Sequence, residues 1–145
     1  VSQYKTFLAA ALLTGSAFGL AGTPAGAATL KDQGVACVQL SAAGRASDAV
    51  DICLAAAIGY RRQAEAATVN PFDDYFTQAR MLATAAGDYA ALKRHSDSLS
   101  TALRAHQLIL WVYRSFPMDS SDRAEITNLT QQLQHLELVE GGQRA

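Results

Sequence analysis

Three histidines, two cysteines and one adjacent pair of aspartates are the residues whose chemistry could serve a reaction. His95 and His106 stand eleven positions apart, which places them on nearly the same face of a helix. They would then lie ~16 Å apart along its axis, too far to share one metal ion. His135 belongs to a different segment, and no Asp or Glu stands four residues from any of the three to complete a ligand pair. They read as surface or half-buried histidines. Asp73 and Asp74 follow Asn70-Pro71 closely. Carboxylates there complement the positive end of a helix, and consecutive side chains point in different directions, which suits acid–base pairing poorly. No Ser sits in a Gly-x-Ser-x-Gly turn, and no Gly-rich phosphate loop is present. Arg61-Arg62 and Lys93-Arg94 read as solvated helix faces, and the sequon Asn128-Leu129-Thr130 falls inside a helical pattern. The expectation is a non-catalytic protein with no cofactor and no metal.

The elements around these residues begin with an address. The chain has 145 residues, 50% hydrophobic and 17% charged, which suits one globular domain. Lys5 is the only charged residue before Lys31. The run from Phe7 to Leu20 is apolar and small, Pro24 breaks it, and Ala25-Gly26-Ala27 offers small residues at the −3 and −1 positions. That order is the order of a cleavable secretory signal peptide. The run is shorter than the ~20 apolar residues a membrane span needs, and Thr14, Gly15 and Ser16 interrupt it. A lipoprotein signal ending at Cys37 fits less well, because the apolar run stops too far upstream. The reading is a signal peptide over 1–27, a helical domain over 28–139 and a flexible tail over 140–145. Such a protein is periplasmic or secreted, with no stable membrane anchor after cleavage. Removing Lys5 leaves 11 basic residues against 13 acidic ones. Nucleic acid, which demands a basic face, is not an expected partner.

Beyond Ala28 no segment reads as strand, and helical periodicity recurs. A first helix runs from Leu30 to Ala43 and stops at Gly44, which tolerates positive φ. A second starts near Ser47 and fades near Ala67. Asn70-Pro71 opens a third, since Asn caps and Pro suits the first turn. Gly87 stops the third, Asp88 caps a long fourth helix, and Pro117 follows its end near Ser115. Asp122 and Glu125 suit a capping box for a fifth helix. There Ile126, Leu129, Leu133 and Leu136 form a seam able to drive self-association. The fold class is all-α: two helix-turn-helix hairpins plus a closing helix.

Leu40, Gly44, Ala49, Cys53 and Ala56 recur at intervals that resemble the tetratricopeptide repeat. In that family a large residue in helix A, a turn Gly, and small, aromatic and small residues in helix B follow one another. A second, looser unit sets Phe76, Ala79, Gly87, Leu92, Ser96 and Leu99 at the same places, with Tyr89 two residues after the Gly. The two glycines are 43 residues apart, against a family period of ~34. A five-helix bundle unrelated to that family is the alternative. The resemblance implies a concave binding groove lined by Lys31, Val38, Ser41, Asp74, Thr77 and Met81. Of the residues that clamp a terminal carboxylate in that family, only Lys31 has a counterpart.

Arg45 lies midway between Cys37 and Cys53, so an antiparallel helix pair sets them side by side. A disulfide needs Cα atoms within ~7 Å. The small residues Ala36, Ala49, Ala56 and Ala57 allow that approach, and an exported chain meets an oxidising compartment. A structural disulfide is therefore expected, with two buried free thiols as the alternative. Trp111, Tyr113 and Phe116 cluster near the end of the fourth helix, either as core or as an aromatic binding patch. The functional expectation is an exported interaction module with a protein partner. A self-associating structural protein is the second reading, and a small-ligand binder the third.

Overall fold

The structure is a computed structural model that describes residues 28–144. The signal-peptide expectation falls on 1–27, outside the described residues. Five helices follow in order: α1 (Leu30–Ala42), α2 (Ala46–Ala66), α3 (Phe72–Ala91), α4 (His95–Ser115) and α5 (Ser120–Arg144). No strand occurs among the described residues. The chain is all-α.

Local chemistry sets the ends. Thr29 and Asp32 form a capping box at α1: the Asp32 N–H donates to Thr29 Oγ1 at 3.1 Å, and the Thr29 N–H donates to Asp32 Oδ2 at 3.3 Å. The Phe72 N–H donates to Asn70 Oδ1 at the start of α3. At α5 the box lies three residues earlier than Asp122 and Glu125. Asp119 Oδ1 accepts from the Asp122 N–H at 2.8 Å, and Asp122 Oδ2 accepts from the Asp119 N–H at 3.1 Å.

Gly44 ends α1 with φ 77°. The Arg45 N–H reaches back to the Leu40 carbonyl and the Gly44 N–H to the Ser41 carbonyl, the paired bonds that close a helix through a left-handed residue. The second hairpin departs from the sequence expectation. Gly87 does not stop a helix, and Asp88 does not cap one; both lie inside α3, which continues to Ala91. The turn is made at Lys93, with φ 62°.

Packing is between neighbours in sequence, with α3 central. α3 touches α1, α2, α4 and α5, whereas α1 and α5 do not touch each other, nor do α2 and α4. Thus α1, α3 and α5 form one layer and α2 and α4 the other. Alanine permits close approach: Ala49, Ala56, Ala79, Ala85, Ala86, Ala102 and Ala105 are fully buried. Ile109, Val112 and Leu133 are the largest fully buried side chains among the described residues. Gly59 has the same role at one place, since a Cβ there would meet the Leu30 side chain at 2.5 Å.

Two further expectations change. The seam of α5 is consumed inside the molecule: Ile126, Leu129 and Leu133 are buried in the core, and Leu136 packs against it. The expected flexible tail also differs, because α5 stays helical to Arg144 and Glu140 is 3% exposed. Its carboxylate is buried against His95 of α4.

Candidate functional site

Cys37 on α1 and Cys53 on α2 are disulfide-bonded, with a Cα–Cα distance of 4.8 Å. This is closer than the 8–10 Å typical between helix axes, and the alanines around both positions make it sterically feasible. Both sulfurs are fully buried. A third helix completes the cluster. Asp88 of α3 is 2% exposed, and its Oδ1 accepts a 2.6 Å hydrogen bond from the Ser41 hydroxyl of α1. Its Oδ2 lies 3.6 Å from Cys53 Sγ. Burial pushes the Asp88 carboxyl above its ordinary range, and the Ser41 bond opposes that only in part. Three helices therefore meet at one polar point within an apolar core. The sequence reading missed Asp88 because it placed this residue at a helix start, where an acid is exposed.

The histidines are used between α4 and α5. His95 Nδ1 lies 2.5 Å from Glu140 Oε2. His106 Nδ1 lies 2.8 Å and 3.2 Å from the two oxygens of Glu137. Each histidine meets its own carboxylate rather than a shared ion. His135 is exposed on the other side of α5, and no group of metal-ligating side chains occurs among the described residues.

The aromatic cluster is real, with a different membership. Trp111 and Phe116 pack edge to face at 5.3 Å, and Tyr75 of α3 joins both, at 4.9 Å and 5.7 Å. Tyr113 points away and is 54% exposed. Trp111 stays 46% exposed while stapling α3 to α4.

A concave feature lies where α1 and α5 flank α3 without touching. One stretch has a volume of about 410 Å³, with Val38, Ala83, Leu129, Leu133 and Leu136 as its apolar lining. Arg80, Thr84, Gln132 and His135 supply its polar edge. A second stretch, of about 350 Å³, continues past Arg80 to Phe76, Glu125 and Asn128. Arg80 borders both, is exposed, and forms no ion pair among the described residues.

Of the six groove residues expected from the repeat resemblance, only Val38 lines this space. Ser41 is turned to Asp88. Asp74 accepts from Gln63 of α2 at 2.7 Å. Met81 is buried in the core, Thr77 is half-buried, and Lys31 is exposed near the start of α1. On α3 the expected residues and those that line this space lie on different stripes. The groove is faced by Phe76, Arg80, Ala83 and Thr84, which recur at spacings of three and four. No residue of α5 was in the expected set, because the resemblance supplied no third unit to align.

Comparison with protein-family models, with curated proteins and with solved structures gave no match to this chain.

Proposed function

We propose that this chain is an exported, non-catalytic module that binds a segment of another protein in the groove over α3. The observation that carries this reading is the groove itself. It has an aliphatic floor, a polar rim and one unpaired guanidinium at its middle, between two helices that leave α3 uncovered. Such a surface suits an amphipathic or extended segment whose aliphatic side chains enter the floor and whose carboxylate meets Arg80. The tetratricopeptide-like reading is supported by the two stacked hairpins and by the position of the groove in the layer of α1, α3 and α5. Export is supported by the apolar, Lys-led start of the sequence and by a disulfide that suits an oxidising compartment.

The test is selection of displayed peptides on the purified domain over 28–145, in parallel with its Arg80→Glu variant. The wild-type domain should enrich segments with an acidic residue between aliphatic ones, and Arg80→Glu should shift the selection towards basic residues. Identical selections by both proteins would refute the groove as the binding site.

A second reading, self-association, rests on a different face from the one the sequence suggested. Leu103 and Leu110, two turns apart on α4, are 43% and 40% exposed, and Leu138 near the end of α5 is 78% exposed. A concentration-dependent dimer lost on Leu103→Glu and Leu110→Glu would favour it.

A further inference from the structure

The contact between Asp88 and the disulfide has an unusual proton requirement. A disulfide sulfur carries no hydrogen, so Cys53 Sγ can only accept across the 3.6 Å that separates it from Asp88 Oδ2. The hydrogen of Ser41 is already committed to Oδ1. A hydrogen on Oδ2 lets it donate to that sulfur. A carboxylate facing a sulfur lone pair in a buried site would be two acceptors in opposition, at the cost of a buried charge. The surrounding groups offer no counter-charge. From α1 they are Ser41 and Cys37, and from α2 Cys53. From α4, the hydroxyl of Ser98 is spent on the Ala86 carbonyl at 2.8 Å. The titratable groups of α4 and α5 at this end, His95 and Glu140, are bonded to each other. Among the described residues Asp88 forms no ion pair. In the reduced protein the requirement reverses, because a Cys53 thiol is a donor and a carboxylate is its natural acceptor.

We propose that Asp88 is the proton-transfer partner of Cys53 in thiol–disulfide exchange. It holds a proton while the Cys37–Cys53 bond is closed and passes it to the Cys53 sulfur when the bond opens. The exchange partner is a dithiol. α1 is the terminal helix of the described chain and touches only α2 and α3, so it is the element whose opening exposes Cys37. One thiolate of the dithiol attacks Cys37 Sγ and forms a mixed disulfide. The Cys37–Cys53 bond breaks, and its electron pair goes to Cys53 Sγ. The proton on Asp88 Oδ2 moves to that sulfur, leaving a carboxylate that accepts the new S–H. The second thiolate of the dithiol then attacks the mixed disulfide, closes its own disulfide and releases Cys37, which takes a proton from water. The dithiol is oxidised and the protein disulfide reduced. The two thiols of the dithiol give up two protons and Cys37 takes one up, while the proton on Cys53 comes from Asp88, so one proton is released per protein disulfide reduced.

That released proton is measurable. The 28–145 protein is equilibrated with dithiothreitol across a pH series kept below about 7.5, where free thiols stay largely protonated. The fraction of reduced protein is read by thiol alkylation and helicity by circular dichroism. In the wild type the equilibrium constant for reduction should rise with pH by up to tenfold per unit through the titration of Asp88. In Asp88→Asn it should be flat over the same range. Ser41→Ala, which removes the donor that favours the carboxylate, should move the rise to higher pH. Infrared difference spectra should show a protonated-carboxyl C=O band lost on reduction of the wild type and absent in Asp88→Asn. Equal pH slopes in wild type and Asp88→Asn would overturn the proposal. An unchanged carboxyl band, or loss of the helical signal on reduction, would do the same.

Discussion

Lys93 holds, at the second hairpin turn, the left-handed backbone position that Gly44 holds at the first. Their φ values are 62° and 77°. The same bonds close both turns: Arg94 N–H reaches the Tyr89 carbonyl as Arg45 N–H reaches that of Leu40, and Lys93 N–H reaches Ala90 as Gly44 N–H reaches Ser41. Arg45 pairs with Asp48 at 3.0 Å, and Arg94 pairs with Asp97 at 2.8 Å. Superimposing the turns sets Ser98, Ala102 and Ala105 in the places of Ala49, Cys53 and Ala56, and all six are fully buried. The internal correspondence is thus at Gly44 and Lys93, not at Gly44 and Gly87. Arg94 also lies over the Tyr89 ring, 4.6 Å from its centroid, joining the two residues that the turn brings together.

This relationship predicts that Lys93→Gly stabilises the protein. A side chain in the left-handed region costs roughly 1–2 kcal/mol, offset in part by the greater freedom of glycine in the unfolded chain. The expected net gain is about 0.5–1 kcal/mol, measured as a shift in the urea midpoint with an unchanged slope. Gly87→Ala, in the exposed interior of α3 where a Cβ meets nothing within 4 Å, should also stabilise, by about 0.5–1 kcal/mol. If Gly87 were the turn residue, the same change would instead destabilise.

The end of α5 gives a second prediction. Glu140 is buried and its partner is His95 at the start of α4, both at the open end of the α4–α5 hairpin. Glu140→Ala should cost about 1–3 kcal/mol, because a buried donor–acceptor pair loses one member. Thermal unfolding followed at the helical signal measures it. A fraying tail would show no change.

The pH dependence of stability carries the third prediction. Asp88 has its carboxyl pKa raised by burial, so the folded state holds the proton more tightly than the unfolded chain does. The stabilisation from that proton is fully present below the unfolded pKa of about 3.9. It is lost as pH rises through the raised folded value. Asp88→Asn keeps an acceptor for Ser41 and removes the titration. The variant should gain stability over the wild type as pH rises through that window, by about 1.4 kcal/mol for each tenfold difference in proton affinity. Parallel denaturant titrations across acidic to neutral pH provide the measurement. Curves that run parallel at all pH values would show that Asp88 titrates alike folded and unfolded.

The groove supplies the fourth. Gln132→Arg and Arg80→Glu both change its rim, and both residues are exposed, so the fold should be unaffected. For an acidic, aliphatic peptide obtained by selection, Arg80→Glu should weaken binding at least tenfold, and Gln132→Arg should strengthen it or leave it unchanged. Tyr113→Ala, away from the groove, should have no effect. Isothermal titration calorimetry at two salt concentrations separates the charge contribution from the apolar one.

The sequence by itself determined the helical class, the number of helices after Ala28, the first turn and the disulfide. Each of these depends on local periodicity or on the symmetry of a short hairpin about Arg45, which spacing alone encodes. Tertiary structure decided the rest. It ran α3 through Gly87, because burial of Ala85 and Ala86 outweighs the modest cost of one helical glycine. It placed the turn at Lys93, where the backbone bonds of the turn hold a conformation that local preference disfavours. It spent the α5 seam on the core, and it chose which stripe of α3 faces the groove. It also brought Asp88 to Cys53, 35 positions away in sequence. The disulfide that spacing predicted as a simple staple is, in the folded chain, one part of a three-helix polar cluster, because only packing sets α3 against the α1–α2 hairpin.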